Sequence, residues 1–192
     1  MDEPYELNKL DDYVLCHTTS SFAYEKIYKE GVFKSTEAQY GKGMIEGINM
    51  GGDPSKIYFQ LTPAEEALEF YTESWHKYEA TFVLDAKILL PYIDHIEFSI
   101  GWNYGKKGKP YQRFEGKPLK GFEDLWPNNP EEELLLNFKH FYASMESEES
   151  RFFNEVTVQV NEIPFRDPHY LIDVIKPAPF PDFKNYLTLY KV

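Results

Sequence analysis

The most regular alternation in the chain lies in residues 152–160, which read FFNEVTVQV. Valines at every second position alternate with polar residues: Val156, Val158 and Val160 against Glu155, Thr157 and Gln159. Because successive side chains of a β-strand point to opposite faces, the valines predict a buried face and the polar residues predict a face toward water or a cleft. The stretch therefore requires a sheet with one buried side, and it places the carboxylate of Glu155 where the other side begins.

Other strands and helices follow from the same kind of pattern. Runs rich in Val, Ile, Leu, Phe and Tyr predict strands at 13–18, 56–61, 80–85 and 170–175, with a last edge strand at 186–190. Capping residues predict helices over 22–30, from Thr62 to about Ser74, and from Asn129 onward. Strands with helices between them, followed by late strands, predict an α+β domain with two packed, mostly antiparallel sheets.

The chain of 192 residues is most simply one domain over 1–192, with an insertion around 98–128. A stretch from 34 to 56 contains five glycines and little periodicity, which predicts a long loop of the kind that covers a ligand. No internal repeat or domain linker interrupts the pattern.

Composition excludes several classes of protein. Twenty basic and 32 acidic residues give a net charge of −12, which favours solubility and argues against diffuse attraction to nucleic acid or anionic membranes. The acidic first residues lack the features of a secretory signal, and no apolar run approaches the ~20 residues of a membrane helix. The single Cys16 forms no internal disulfide and fits a reducing compartment. We therefore expect a soluble, cytoplasmic protein.

A basic, aromatic stretch between residues 98 and 122 contrasts with this charge. Six basic residues against the one acid Glu115 give a local charge of +5: Lys106, Lys107, Lys109, Arg113, Lys117 and Lys120. Tyr and Trp residues are interleaved amid Gly and Pro, which predicts an extended loop or hairpin. The stretch is interpreted either as a solvated insertion or as a surface that offers cations to phosphates and rings to bases.

Several familiar chemistries do not fit the pattern. Cys16 and His17 are adjacent in a predicted strand, so they face opposite ways and form no nucleophilic dyad. In Asp94-His95-Ile96-Glu97 the histidine faces away from both acids, and the other histidines are isolated, so no metal is expected. The Gly51-Gly52 segment has neither the spacing nor the following helix of a phosphate-binding loop.

Three segments in a fixed order resemble the ADP-ribosyltransferase superfamily, in its branch with a His-Tyr-Glu triad. Cys16-His17-Thr18-Thr19 is similar to the family's His-Gly-Thr turn, and Ile57-Tyr58-Phe59 to its Tyr-Phe strand before an Ala-containing helix. Phe153-Asn154-Glu155-Val156 is similar to its Tyr-Asn-Glu-Tyr approach to the catalytic strand. The resemblance covers roughly residues 13–175. Thr18 replaces the usual Gly, and Phe153 speaks against the arginine-modifying branch.

The resemblance implies a split NAD-binding cleft between the sheets and NAD⁺ as substrate, with no metal or second cofactor. Glu155 would stabilise the positive charge that develops on the ribose, while His17 would bond the other ribose. His17 and Thr18 would bind NAD⁺, together with Tyr58 and either Phe70 or Tyr71, whose rings would face the nicotinamide. Lys106, Lys107, Lys109 and Arg113 would contact the acceptor if that acceptor is nucleic acid.

The implied activity is transfer of one ADP-ribose unit to a macromolecular acceptor, protein or nucleic acid, by a toxin or defence effector that an inhibitory protein controls. Two alternatives remain open. The first is an NAD⁺ glycohydrolase on the same scaffold. The second is a catalytically inactive acidic interaction protein, such as an antitoxin, an inhibitor or a nucleic-acid mimic, which the charge of −12 permits.

Overall fold

The computed structural model describes residues 7–41, 53–73, 79–100, 112–115, 129–145 and 154–178. Thirteen helices and strands fall within them, besides 3-10 segments at Leu10–Asp12 and Ala86–His95. The strands are β1 (Tyr13–Thr19), β2 (Val32–Lys34), β3 (Ile57–Pro63), β4 (Ala80–Asp85), β5 (Ile96–Ile100), β6 (Gln112–Glu115), β7 (Asn154–Val158), β8 (Glu162–Pro164) and β9 (Leu171–Ile175). The helices are α1 (Ser21–Glu30), α2 (Thr36–Tyr40), α3 (Ala67–Glu73) and α4 (Pro130–Ala143).

Seven of these strands form one sheet in the order β6-β5-β7-β3-β1-β4-β9. Every neighbouring pair in it is antiparallel, and β2 pairs with β8 in a separate two-stranded ribbon. The prediction of an α+β fold with mostly antiparallel strands is therefore confirmed. Within the described residues, one seven-stranded sheet and a small ribbon replace the two packed sheets of the finer prediction, and the split NAD-binding cleft stays a prediction.

The sheet has one strongly apolar face, and alternation along each strand produces it. Leu15, Phe59, Phe82, Phe98 and Val156 come from five strands and belong to one buried cluster. The same cluster contains Leu134, Phe138 and Phe141 from α4, so α4 packs on this face. We call it the core face. The residues that lie between these in each strand point to the opposite side, which we call the polar face.

β3 changes partners along its length. Its second half pairs with β1, from Gln60 opposite Cys16 to Pro63 opposite Tyr13. Its first half pairs instead with β7, from Ile57 opposite Val158 to Phe59 opposite Val156. β3 therefore has two openings in its backbone pairing. Its first half is not paired with β1, and its second half is not paired with β7. These two openings lie beside the residues that carry the predicted chemistry.

Local signals explain where most helices begin and end. The Ser20 and Asn129 side chains accept backbone N–H bonds at the starts of α1 and α4, and Gly31 ends α1 at a φ of 70° that favours glycine. The predicted start of the next helix at Thr62 is wrong. Thr62 and Pro63 continue β3 because they pair with β1, and α3 begins only at Ala67.

The predicted long loop also contains regular structure. β2 extends to Lys34 and α2 covers Thr36–Tyr40, where Ser35 caps the helix by accepting the Ala38 N–H. Residues 42–52 of that loop and the predicted edge strand at 186–190 lie outside the described residues. Among the helices that are described, none has both the length and the apolar character needed to cross a bilayer.

Candidate functional site

Glu155 lies on the polar face, on a strand between β3 and β5. It is opposite Ser99 of β5, whose hydroxyl is 3.3 Å from Glu155 Oε2, so the two side chains share one face. The carboxylate is half-buried, and this burial raises its pKa although the Ser99 hydrogen bond acts in the other direction. The structure therefore gives Glu155 a partly dehydrated setting and not a plain solvent-facing one.

Asn154 fixes the strand on which Glu155 lies. Its side-chain Oδ1 accepts the Leu61 backbone N–H at 2.7 Å, and its Nδ2 donates to the Leu61 carbonyl at 3.0 Å. Asn154 is only 1 % exposed, so these bonds form away from water. Backbone pairing of β3 with β7 ends at Phe59 and Val156. Two residues farther on, the Asn154 carboxamide takes the place of a backbone pair with Leu61. We call this contact the Asn154 bridge.

Gln60 and Glu155 are the residues between the last paired residues, Phe59 and Val156, and this bridge. Gln60 follows the core-face residue Phe59, and Glu155 precedes the core-face residue Val156. Alternation therefore puts both side chains on the polar face. Beyond Phe59 and Val156 the contact between β3 and β7 is made by the Asn154 side chain and not by a backbone pair. We call this interruption of the backbone pairing, beside Glu155, the β3–β7 gap.

Tyr71 of α3 forms one side of this region. Its ring is 1 % exposed and belongs to a small cluster with Val14, Cys16 and Val83 on the polar side of β1 and β4. The Tyr71 hydroxyl donates to Gln60 Oε1 at 2.6 Å. Burial raises the pKa of Tyr71 well above its usual value, and burial raises that of the Cys16 thiol to about 12, so both groups stay protonated. α3 thus anchors the oxygen end of the Gln60 amide.

Tyr58 and Lys56 lie farther along the same face of β3. Tyr58 is opposite Thr157 of β7, and its hydroxyl donates to the Asp53 carbonyl at 3.1 Å. Lys56, 8 % exposed, pairs at 2.5 Å with Glu97, which is itself opposite Thr157. The ion pair supplies a countercharge for Glu97, whereas the contact of Glu155 in the described residues is with neutral Ser99.

His17 fills the other opening, between β1 and the first half of β3. Its Nδ1 is 2.8 Å from the Tyr58 carbonyl oxygen, which only accepts, so Nδ1 carries the proton. The ring contacts Phe33 and Phe59, with centroids 4.6 Å and 5.8 Å away. Burial lowers the pKa of His17 below its usual value, so the imidazole is neutral at pH 7 and Nε2 is an acceptor.

The three predicted catalytic residues lie on adjacent strands but do not share a face. The order β7-β3-β1 places the strand of Tyr58 between those of Glu155 and His17. Glu155 and Tyr58 belong to the polar face, whereas His17 alternates with Leu15 and packs on the core face. Glu155 and His17 therefore point to opposite faces of the sheet, so the structure does not bring them into one cleft.

The predicted NAD⁺-contacting rings are placed unequally. Tyr71 is buried, where its ring packs in the core and its hydroxyl bonds Gln60. It therefore does not offer a ring face to nicotinamide in this structure. Phe70 lies on α3, but its side chain is outside the described atoms. Thr18 is half-buried on the polar face, where its hydroxyl is 3.1 Å from that of Thr81.

The predicted acceptor-binding residues are mostly outside the described part of the chain, since Lys106, Lys107 and Lys109 all fall there. The backbone of Arg113 is described, and it occupies the β6 position opposite Ser99. The antiparallel pairing of β5 with β6 fits the hairpin alternative for part of the stretch, residues 98–100 and 112–115. Its acceptor-binding role stays a prediction.

Sequence reasoning missed Gln60, Ser99 and the structural role of Asn154. The first two had a usable signal. Gln60 is two residues after Tyr58 and Ser99 is two residues after Glu97, so each pair shares a face of its strand. The Asn154 bridge had none, since its partner is 93 residues away.

Metal ligands do not cluster in the described residues, where no group of three or more His, Cys, Asp or Glu side chains is arranged to hold an ion. Comparison of the chain with family models, with curated proteins and with solved structures found no match. The functional assignment therefore has to rest on the residues themselves.

Proposed function

We propose that the chain is an NAD⁺-dependent mono-ADP-ribosyltransferase that transfers ADP-ribose to a macromolecular acceptor. One observation carries the proposal: a half-buried carboxylate, Glu155, is held at the β3–β7 gap by the neighbouring Asn154 bridge. The resemblance in sequence adds support because its three segments lie on three adjacent strands, although they are up to 138 residues apart, from His17 to Glu155.

The reaction needs such a carboxylate. The bond between ribose and nicotinamide breaks, its electron pair leaves with nicotinamide, and the ribose carbon acquires positive charge. A nucleophile on the acceptor then bonds that carbon and releases its proton. A fixed carboxylate in a partly dehydrated site stabilises the developing charge more strongly than one in water does. Glu155 has this role, and the Ser99 hydroxyl orients it.

His17 and Tyr58 act by position. A neutral imidazole whose Nδ1–H is engaged by the Tyr58 carbonyl has Nε2 as an acceptor, which would bond a ribose hydroxyl in the proposed complex. The same bond holds the backbone of Tyr58, so that its ring borders the polar face next to Thr157. No proton transfer by His17 is required, which agrees with its lowered pKa.

The direct test uses NAD⁺ labelled in the adenosine part, incubated with the full-length protein and a cell lysate. We expect release of nicotinamide together with label attached to macromolecules. Digestion with protease or with nuclease then separates protein from nucleic-acid acceptors. Glu155→Gln should lower turnover at least ~100-fold while NAD⁺ binding is mostly retained, because the charge acts on the transition state.

Glu162→Gln is the matched control, since Glu162 is an exposed carboxylate on β8. It should leave turnover unchanged. Free ADP-ribose without labelled macromolecules would indicate the glycohydrolase instead. A wild-type protein that releases no nicotinamide, or a Glu155→Gln variant with wild-type turnover, would refute the enzymatic assignment.

A further inference from the structure

β9 lies at the edge of the seven-stranded sheet. It pairs with β4, and no other strand of the described residues lies on its outer side. In an edge strand, some of the backbone N–H and C=O groups point away from the sheet, which makes the edge a site where another strand can add. β9 therefore presents a surface for one more strand, and no described strand occupies it.

Exposed apolar side chains accompany this open edge. Ile172 of β9 is 59 % exposed, and Leu68 of α3 is 62 % exposed. α3 contacts β9, and Ala67 and Ile175 belong to one small buried cluster. Because removal of apolar surface from water is favourable, an added strand with apolar side chains would be stabilised in this region.

The chain contains a segment that suits this edge. Beyond Ala178, the last described residue, positions 186–190 read YLTLY, in which two leucines alternate with tyrosine and threonine. This alternation is typical of a strand with both leucines on one face. The three prolines after β9, Pro177, Pro179 and Pro181, all precede the segment, so none of them removes a backbone N–H from it.

We propose that residues 186–190 bind the outer edge of β9 as an eighth strand, antiparallel to it. The ten connecting residues 176–185 let the chain reverse, since hairpin loops need only about two to five. A tether this short gives the segment a higher effective concentration beside β9 than a second protein molecule has. Lys184 and Lys191 flank the segment, and their charge complements that of the exposed Asp173 on β9. The bound strand closes the edge to other chains.

The test is NMR on the full-length protein. We expect NOEs between the Hα atoms of β9 and those of residues 186–190. Because neighbouring N–H groups of a strand point to opposite sides, the double variant Leu187→Pro/Thr188→Pro removes one N–H that faces β9. It should abolish these NOEs and speed hydrogen exchange at the outward-facing amides of β9 at least ~10-fold, because those amides then face water. Asp182→Pro/Phe183→Pro is the matched control, with its prolines in the connection, and it should keep the NOEs.

The outcomes separate the possible occupants of the edge. A wild-type protein without NOEs between β9 and residues 186–190 refutes the contact, and so does an equal loss of these NOEs in both double variants. In a mixture of isotope-labelled and unlabelled protein, NOEs between labelled and unlabelled chains would mean that a second copy covers the edge, which overturns the proposal. NOEs confined to one chain support it. The contact does not depend on NAD⁺, so its failure would leave the proposed function unchanged.

Discussion

The Asn154 bridge gives the sharpest prediction about stability. In Asn154→Ala, the Leu61 N–H and C=O both lose their partner, at a site where Asn154 is only 1 % exposed. Each unsatisfied buried group costs about 1–3 kcal/mol, so the free energy of unfolding should fall by about 2–6 kcal/mol. That is a large part of the 5–15 kcal/mol typical of a folded domain.

Two measurements check this reasoning. Urea unfolding gives the change in free energy, with Asn161→Ala as the matched control because Asn161 is exposed and its side chain should contribute less than about 0.5 kcal/mol. Hydrogen exchange then tests the mechanism, since the Leu61 amide should be protected in the wild type and exchange faster in Asn154→Ala. A loss no larger than that of the control, or an unchanged Leu61 amide, would show that the bridge does not hold β3 to β7.

Three further predictions follow from the same geometry. Burial raises the folded-state pKa of Glu155, so ionisation of this carboxyl disfavours the folded state. Glu155→Gln should therefore raise the melting temperature at pH 7.5, and this gain should disappear below about pH 4.5. A gain that persists at pH 3.5 would contradict the argument. His17 has a lowered folded-state pKa, so its contribution to stability is present above pH 6.5 and is lost as the pH falls toward that pKa. His17→Phe should remove this acid-sensitive part of the stability and should cost about 1 kcal/mol at pH 7.5. An unchanged dependence of stability on pH would count against the assignment. Gly31→Ala should cost about 1–2 kcal/mol in urea unfolding, because φ is 70° and the new Cβ would lie 3.1 Å from Arg166 Cβ; a neutral effect would mean that α1 ends differently.

Local patterns were sufficient for much of the fold. β4 has the predicted bounds, Ala80–Asp85, and the Asn129 cap starts α4 as expected, since both signals are contained in a few neighbouring residues. The start of α3 was predicted five residues too early. Thr62 and Pro63 form a good helix start by themselves, but their pairing with Val14 and Tyr13 keeps them in β3, and no local signal reports that competition.

The candidate site was less predictable for a similar reason. Alternation along 57–61 already put Gln60 on the face of Tyr58, but its hydrogen bond with Tyr71 and the Asn154 bridge beside it both depend on residues from other parts of the chain. His17 was known to share a face with Leu15. Only the tertiary structure shows that this face is the core, with Phe33 and Phe59 against the imidazole.

Side chains take the place of backbone pairs at the two openings beside β3. In a regular sheet, backbone hydrogen bonds hold neighbouring strands at one spacing. Here one carboxamide spans the separation from Leu61 to β7, and one imidazole spans that from Tyr58 to β1. The contact between β3 and β7 beside Glu155 therefore depends on the length of a single side chain. Exchanging Asn154 for glutamine, the longer amide, should change this contact while the backbone pairing of Ile57–Phe59 with β7 keeps its register.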